Sequence, residues 1–380
     1  MRRVIYFDNA ATTAPREEAI AAAERAMRSE WGNPSSGHFI GKAAEEMLSG
    51  ARRSVASALG VRAEHVHFTS GGTESDNLAV LGAAELSRRR GGHVITSGAE
   101  HSAVLNAFER LKKLGFDVTI LPPSGNGVVA AQDLRDALRA DTILVSLMLV
   151  NNETGAVSPA AEYARAIRGA AAKAVFHVDA VQGFGKLPFT AETIGADLIS
   201  ISAHKLYSPK GAGALYVRPG AGVAPILFGG QQEMGLRPGT ENVSAIAAFG
   251  VAAQLAMREL AENLNHAERL RTIVMQGITR IPRAKVIASC GQTSPYIMSI
   301  ALPGYRSEVL MNCLEDAGIC LSRSSACRRG ARSRVLTAMR LPTDEIDGAL
   351  RVSFGRENTE TEAEYFVRTL VETAERLVHR

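Results

Sequence analysis

A lysine ends an apolar stretch of the chain, just before a glycine-rich turn. Lys205 follows Ile199-Ser-Ile-Ser-Ala-His204 and precedes a glycine-rich turn and a second apolar run, Gly211-Ala-Gly-Ala-Leu-Tyr-Val217. A lysine among apolar neighbours loses its proton more readily, and only the neutral amine condenses with an aldehyde. This segment therefore predicts a nucleophilic amine at Lys205; the simpler interpretation is a strand-end lysine that reaches to water.

A second apolar run, Val175-Phe-His-Val-Asp179, ends in a carboxylate. If this strand is buried, an isolated Asp179 is costly and needs a cationic partner. A protonated pyridine nitrogen would be such a partner, and the carboxylate would keep the ring cationic as an electron sink. The alternative is an aspartate that caps the next helix.

Two more runs end in polar residues. The first is His65-Val-His-Phe-Thr69, which is followed by a Gly-Gly turn and by Thr73 at the start of a predicted helix. The backbone N–H groups of a helix N-terminus and the Thr73 hydroxyl group favour the binding of a phosphate. The alternative is a capping box of Thr73 with Asp76. Val94-Ile-Thr-Ser97 leads to His101, which could stack on a ring and move protons, although a lone histidine is more often structural. Since open α/β sheets bind ligands at the carboxyl ends of their strands, these strand ends predict one site.

In number and order, these segments resemble the fold-type I pyridoxal-phosphate enzymes of the class V aminotransferase superfamily, and within it the cysteine desulfurase family. The motifs that carry the resemblance are Tyr6-Phe-Asp-Asn-Ala-Ala-Thr-Thr13, Gly32-Asn-Pro-Ser-Ser36, Thr69-Ser-Gly-Gly-Thr-Glu-Ser-Asp-Asn77, Ala99-Glu-His101, Val150-Asn-Asn-Glu-Thr-Gly155, His177-Val-Asp-Ala180, Ser202-Ala-His-Lys205, Arg237-Pro-Gly-Thr240, Ser324-Ser-Ala-Cys327 and Leu350-Arg-Val-Ser353.

The resemblance implies pyridoxal 5'-phosphate as cofactor and assigns roles by position. Lys205 would hold the cofactor covalently and then take the α-proton of L-cysteine, and His101 would assist proton transfer. The remaining cofactor contacts would be Gly72, Thr73, His101, Asp179, Gln182, Ser202, His204 and, from the neighbouring subunit of a homodimer with shared sites, Thr240. The substrate contacts would be Asn33, Asn152 and Arg351.

Cys327 lies in a small, polar and cationic segment, Ser322 to Arg334, whose composition is typical of a loop. Neighbouring guanidinium groups favour the thiolate, which is the nucleophilic form. The resemblance implies that Cys327 attacks the substrate sulfur, keeps it as a persulfide and passes it to an acceptor protein. The arginine-rich stretch after Cys327 is shorter than in the iron–sulfur-assembly desulfurases, and Ala203 replaces a frequent glycine; the acceptor and the need for an activator stay open.

The length and composition agree with a two-domain enzyme. The chain has 380 residues, with 43 lysine and arginine against 39 aspartate and glutamate residues, a net charge of +4. Alternating strands and amphipathic helices predict a large α/β domain, residues 14–257, with a mostly parallel sheet flanked by helices. Residues 258–380 would form a smaller α+β domain, with which the resemblance implies that residues 1–13 pack, and Ala245 to Leu264 would form one long helix that leads out of the large domain.

Several other classes of protein are not expected. The near-balanced charge does not call for nucleic acid, and the longest apolar run, Thr142 to Val150, is far shorter than the roughly 20 residues of a membrane span, so a cytoplasmic protein is the default. The cysteines, Cys290, Cys313, Cys320 and Cys327, form no CxxC pair, so no metal site is expected. P-loop, dinucleotide-binding, HExxH and GxSxG motifs are absent.

Two alternative functions stay open at this point. One is a different enzyme of the same fold, such as a selenocysteine lyase or an aminotransferase, against which Cys327 argues. The other is a non-catalytic binding protein that uses the arginine-rich segment as its contact surface. Lys205, Asp179 and His101 together argue against this second alternative.

Overall fold

The structure is a computed structural model that describes residues 4–171, 173–323 and 332–378. Its strands are β1 (Ile5–Tyr6), β2 (Val66–Thr69), β3 (His93–Ser97), β4 (Asp117–Leu121), β5 (Thr142–Ser146), β6 (Val175–Asp179), β7 (Leu198–Ser202), β8 (Gly213–Val217), β9 (Lys285–Val286), β10 (Ile297–Ala301), β11 (Ile319–Cys320), β12 (Ser322–Arg323) and β13 (Ala349–Ser353).

The helices alternate with the strands in the first two thirds of the chain. They are α1 (Glu17–Arg28), α2 (Phe39–Leu59), α3 (Gly72–Ser87), α4 (Ser102–Lys113), α5 (Ala131–Ala137), α6 (Ala160–Ala170), α7 (Ala191–Ile194), α8 (Val243–Arg258), α9 (Leu260–Ile278), α10 (Ser307–Asp316), α11 (Arg334–Ala338), α12 (Thr343–Asp347) and α13 (Glu360–Val378).

A seven-stranded sheet with the order β2-β8-β7-β6-β5-β3-β4 forms the centre of the fold. Within it β8 runs antiparallel to both of its neighbours, and the other strand pairs are parallel. The carboxyl ends of β2, β3, β6 and β7 therefore meet at one edge, as the sequence predicted. The predicted mixed α/β fold with a mostly parallel sheet is confirmed.

Helices cover both faces of this sheet, which explains why its inner strands are continuous buried runs. One core packs residues of α2, α6 and α8, such as Val55, Tyr163 and Phe249, against the strands. The core on the other face contains Leu78 of α3 and Phe108 of α4. The sheet is thus a rigid platform for the side chains at its edge.

A second, smaller sheet has the order β12-β13-β10-β9 and is antiparallel. The segment before α1 packs on it: Phe7 contacts the rings of Phe354 and Phe366, each with ring centroids 5.7 Å apart. These residues belong to a core distinct from the two that cover the large sheet. This separation supports the division into domains at 14–257, 1–13 and 258–380, whose exact boundaries stay a prediction.

The prediction of one helix from Ala245 to Leu264 is wrong. The chain breaks at Glu259, and α8 and α9 are bent by 74° relative to each other. The carboxylate of Glu259 pairs with the buried guanidinium of Arg16 at 3.0 Å. The bend lets α8 pack on the large sheet's helices and α9 on α13, so tertiary packing outweighs the local helix propensity.

None of the described helices is by itself long and apolar enough to cross a membrane. Only α8 and α9 taken together, as a bent pair, reach the necessary length and composition.

Candidate active site

A cavity of about 350 Å³ opens at the edge where the carboxyl ends of the strands meet. Residues from both sheets and from the segment before α1 line it. Its lining contains most of the predicted site residues, namely Gly72, Thr73, His101, Asn152, Asp179, Gln182, Ser202, His204, Lys205 and Arg351. It also contains Ala10, Ala11, Asp76, Met148 and Val181, which the sequence did not single out as site residues.

Lys205 ends a short 3-10 turn that directly follows β7. Its Nζ atom donates hydrogen bonds of 2.6 Å to the carbonyl oxygens of Ala10 and Ala11. Ala203, the residue that departs from the family's usual glycine, is fully buried inside the same turn. The amine is thereby directed into the cavity lining, as expected for a lysine that reacts with a bound aldehyde.

Asp179 is the last residue of β6 and is only 5% exposed. Its Oδ1 accepts a hydrogen bond of 2.9 Å from the backbone N–H of Val181, so it caps a turn and not a helix. Burial raises the pKa of this carboxyl, and the nearby His101 and Lys205 act in the opposite direction. A cation placed in the cavity beside Asp179 would therefore favour the carboxylate form.

Two further buried acids, Asp76 and Glu100, lie near Asp179, and neither was predicted as a site residue from the sequence. Burial raises the pKa of Asp76 well above its ordinary value and that of Glu100 to about 8. Glu100 Oε1 accepts hydrogen bonds from Ser97 Oγ and Met148 N, each at 2.9 Å. Burial thus favours the neutral forms of Asp76 and Glu100, whereas the nearby His101 and Lys205 favour the charged form of Asp179. Their only signal in the sequence was their position inside the matching motifs.

The N-terminus of α3 forms a cradle beside the cavity. Its first residue is Gly72, and Gly71 before it has a φ of 155°, which glycine adopts without strain. A Cβ atom on Gly213 would lie 2.6 Å from Gly71 Cα, so this close approach requires a glycine at position 213. The capping box of Thr73 with Asp76, which was the alternative to a phosphate site, does not form, since the N-cap residue of this helix is Gly71 and no side-chain cap bond is present.

Ser202 completes this cradle with a buried hydroxyl group. Within the described parts of the chain, its Oγ has no hydrogen-bond partner. A buried hydroxyl without a partner is costly, and an anion at the adjoining helix N-terminus would supply one. The cradle therefore fits a phosphate group.

Both histidines of the cavity are neutral at physiological pH. Burial lowers the pKa of His101, and it lowers the pKa of His204 to about 4. His101 Nδ1 accepts a hydrogen bond of 3.2 Å from Ala103 N at the start of α4, which places the ring hydrogen on Nε2. His204 Nδ1 lies 3.1 Å from Thr12 Oγ1.

Arg351 reaches the cavity from β13 of the small sheet and is 2% exposed. Its Nη2 donates to Asp8 Oδ1 at 2.8 Å, and its Nη1 donates to the carbonyl oxygen of Asn152 at 2.9 Å. The buried Nε has no partner among the residues that the structure describes. A guanidinium with an unused N–H in a cavity is suited to bind a carboxylate.

The side-chain amide of Gln182 is held by the segment before α1. The resemblance assigns it a contact to the cofactor ring, but its Nε2 donates a hydrogen bond of 2.9 Å to Ala10 O. Its Oε1 is the atom without a partner among the described residues. The amide lines the cavity as predicted, and its contact with the cofactor stays a prediction.

Two predicted residues do not line this cavity. Asn33 and Thr240 are both exposed, and Asn33 Oδ1 accepts a hydrogen bond from Ser35 N at 2.9 Å. Cys327 lies outside the described residues. Further along the chain, Arg332 pairs with Asp347 at 2.6 Å and Ser333 donates a hydrogen bond to Glu153.

The residues of the cavity fit pyridoxal phosphate. Lys205 supplies an amine that can react with the aldehyde, and Asp179 supplies a buried carboxyl group for the ring nitrogen. Ser202 supplies a hydroxyl group without a described partner, at a helix N-terminus where the phosphate can bind. Among the described residues, no group forms a hydrogen bond with the Ser202 hydroxyl, so a bound phosphate could do so. The sequence predicted Lys205 and Asp179 from two strand ends, and the family resemblance added Ser202.

Comparison with known proteins agrees with this geometry. The family described as aminotransferase class-V matches residues 5–366. A protein named cysteine desulfurase IscS from Methanosarcina thermophila is 39% identical over 377 residues, which cover 99% of this chain and 93% of that protein. A protein named putative cysteine desulfurase IscS 1 from Bacillus subtilis is 37% identical over 377 residues, covering 98% of this chain and 99% of that protein.

Solved structures match the fold over almost the whole chain. A NifS-like protein superimposes with a TM-score of 0.93 at 36% identity and covers 100% of both chains. A NifS-like protein from Rickettsia africae gives a TM-score of 0.89 at 28% identity, over 98% of this chain and 100% of that one. SspA, solved in complex with cysteine, gives 0.82 at 30% identity, over 92% of this chain and 98% of that one.

Proposed function

We propose that this chain, which belongs to the class V aminotransferase family, is a pyridoxal-phosphate-dependent cysteine desulfurase. It takes sulfur from L-cysteine and releases L-alanine. The observation that carries the proposal is the meeting of Lys205, Asp179 and the unpartnered Ser202 hydroxyl in one cavity of a chain that matches cysteine desulfurases over its length.

When bound, pyridoxal phosphate supplies an aldehyde for the amino group of the substrate and an electron sink for the charge left by the departing α-proton. The protein supplies the groups that bind, orient and move protons. Lys205 is proposed to hold the cofactor and then to take the α-proton at Nζ. The carbonyl oxygens of Ala10 and Ala11, each 2.6 Å from Nζ, orient this amine.

Asp179 and His101 are proposed to adjust the charge of the site. A carboxylate at Asp179 would stabilise a positive ring nitrogen, because Asp179 is buried and the attraction between charges is strong where water is excluded. His101 is held by its Nδ1, so that its Nε2 is the atom that can donate or accept a proton during the reaction.

Arg351 and Asn152 are proposed to hold the substrate. The carboxylate of L-cysteine would bind to Arg351, whose Nε–H is unused and whose position is fixed by the Asn152 carbonyl group at 2.9 Å. Gly72, Thr73, Ser202 and His204 are proposed to contact the cofactor phosphate at the N-terminus of α3, and Gln182 to contact its ring.

Cys327 is proposed to carry the sulfur. Its thiolate attacks the substrate sulfur, the bond between this sulfur and the β-carbon breaks, and a proton replaces sulfur on that carbon. L-cysteine and the enzyme thiol thus give L-alanine and an enzyme persulfide, without an external oxidant or reductant. The persulfide is then passed to an acceptor protein, such as a scaffold for iron–sulfur clusters or a relay for tRNA thiolation.

A homodimer with shared sites is part of the proposal. Thr240, proposed to reach the phosphate bound by the partner subunit, is exposed, and the segment before it exposes Phe228 (87%) and Met234 (62%). Asn33 is also exposed, between Trp31 (66% exposed) and Phe39 (81% exposed). Large exposed apolar side chains beside both residues support their burial against a second copy.

The test is release of L-alanine from L-cysteine by the cofactor-loaded protein, compared with its Cys327→Ala variant. Alanine from the parent alone, with a persulfide on the parent, is the expected result. Cys290→Ala is the matched control, because Cys290 is an exposed cysteine outside the cavity lining, and it should keep the parental rate. Alanine from both proteins would contradict the role of Cys327, and selenocysteine or amino-group transfer as the only activity would contradict the substrate.

A further inference from the structure

Asp8 is an acid of the cavity region that the proposed reaction does not use. Its Oδ1 accepts a hydrogen bond of 2.8 Å from Arg351 Nη2, 343 positions later in the chain. The side chain of Arg351 is 2% exposed and that of Asp8 is 19% exposed. The pair therefore lies largely out of water, where the interaction of two charges is strong.

The backbone keeps Asp8 and Arg351 in register. Ser353, two residues after Arg351 on β13, donates from its N–H to Phe7 O at 2.8 Å and accepts from Ala10 N through its Oγ at 2.8 Å. These bonds flank Asp8 on both sides along the chain. The backbone thus fixes Asp8 against the strand that carries Arg351. In a surface ion pair, by contrast, two long side chains lose conformational freedom when they pair.

Glu153 is a second acid that interacts with the charge of Arg351, but its hydrogen-bond partner is a different residue. Its carboxyl group accepts a hydrogen bond from Ser333, and burial raises its pKa to about 7. Asp8 is therefore the acid in direct contact with the guanidinium group. A carboxylate that enters the cavity must share Arg351 with Asp8.

We propose that Asp8 is a positioning residue that sets how tightly the site binds carboxylates. By pairing with Arg351 it reduces the affinity for substrate, product and unrelated carboxylates alike. Only amino acids regain affinity, because their amino group can also react at the cofactor. Plain carboxylates are thereby excluded; the inference rests on the proposed function of Arg351 in substrate binding.

The physical basis is the cost of a buried charge without a partner. In an Asp8→Asn protein the guanidinium of Arg351 would keep only neutral acceptors, such as the Asn152 carbonyl group. Any entering carboxylate would then restore the ion pair and bind more tightly. Stronger binding of substrate and product alike lowers KM but does not raise kcat.

The experiment uses propionate, which has the carboxylate of alanine but no amino group. The inhibition constant of propionate against L-cysteine is measured for the cofactor-loaded parent and for Asp8→Asn. We expect the constant to fall roughly tenfold in the variant, the effect of one charged hydrogen bond. The KM for L-cysteine should fall as well, with kcat unchanged or lower and with stronger inhibition by L-alanine.

A second readout does not depend on turnover. The midpoint of thermal unfolding is followed as propionate is added to the loaded protein without L-cysteine, and the variant should be stabilised at lower propionate concentrations. Asp8→Glu, which keeps the charge, should stay close to the parent. Asp344→Asn, which removes an exposed pair with Arg283 (3.1 Å), is the matched control and should change neither readout.

An unchanged or higher inhibition constant in Asp8→Asn would overturn the inference, since Asp8 would then only orient Arg351. If Asp8→Asn fails to load the cofactor, Asp8→Ser is measured with the same expected direction. A parent that releases no alanine would contradict the proposed function instead. The propionate-dependent stabilisation would still report on Asp8 in that case, so the two failures are distinguishable.

Discussion

The amine of Lys205 donates a hydrogen bond of 2.6 Å to the carbonyl oxygen of Ala10, which lies 195 positions earlier in the chain. The same oxygen accepts a hydrogen bond of 2.9 Å from Gln182 Nε2. The stretch before α1 therefore forms a wall of the cavity, through its backbone and not through a catalytic side chain. It brings together groups from two strand ends of the large sheet.

Replacing Lys205 should abolish the attachment of the cofactor and most of the activity. We expect Lys205→Ala to release alanine at least roughly 10²-fold more slowly, because proton transfer by a positioned side chain is lost. Mass spectrometry after borohydride reduction should find the cofactor on the peptide with Lys205 in the parent and nowhere in the variant. Lys42→Ala, an exposed lysine, is the control; cofactor still attached in Lys205→Ala would refute the assignment.

Asp179→Asn should slow alanine release roughly 10²-fold while the cofactor still binds, because the variant cannot hold a positive charge on the ring nitrogen. Asp76→Asn is the matched comparison. Burial raises the pKa of Asp76 well above its ordinary value and so favours its neutral form, which the asparagine side chain resembles; the rate should therefore change less than in Asp179→Asn. Equal effects of the two variants, measured as kcat at pH 7.5, would contradict the special role of Asp179.

Ser202→Ala should weaken binding of pyridoxal phosphate about tenfold, the usual effect of losing a hydrogen bond to a charged group. The unloaded variant should be as stable as the parent or more so, since the hydroxyl has no partner among the described residues. Ser208→Ala is the control, because its buried hydroxyl likewise has no described partner but lies outside the cavity lining. Absorbance titration measures the dissociation constant of the cofactor for each protein. Equal constants for Ser202→Ala and the parent would contradict a contact between Ser202 and the phosphate.

Glu100→Gln should make the stability of the protein less sensitive to pH. Burial raises the pKa of Glu100 from 4.5 to about 8. Between pH 4.5 and pH 8, Glu100 therefore keeps its proton in the folded state but loses it in the unfolded state. Stability from this group is complete below pH 4.5 and is lost as the pH rises towards 8.

We therefore expect the free energy of unfolding to fall by about 2 kcal/mol less between pH 6 and pH 9 in Glu100→Gln than in the parent. Urea unfolding of the unloaded proteins at both pH values measures this difference. The exposed Glu109→Gln variant is the control, and it should follow the parent. A parallel pH dependence of Glu100→Gln and the parent would show that Glu100 does not titrate in this range.

The sequence alone was sufficient for the parts of the site that lie at strand ends. Lys205, Asp179, His101 and the helix start at Gly72 each follow a buried apolar run, and parallel strands bring their carboxyl ends to one edge. Local periodicity and one topological rule therefore predicted that these residues meet. The family's motifs added Arg351, which no periodicity connects to that edge.

Only the tertiary structure decided what surrounds these groups. The contacts of Asp8 with Arg351 and of Ala10 with Lys205 join positions 343 and 195 residues apart, and no local pattern encodes them. The burial that protonates Glu100 and the break at Glu259 likewise result from packing between distant elements. Residue types and spacing determined which chemistry is present, whereas pKa values, partners and charge balance depend on burial and distance, which exist only once the chain has folded.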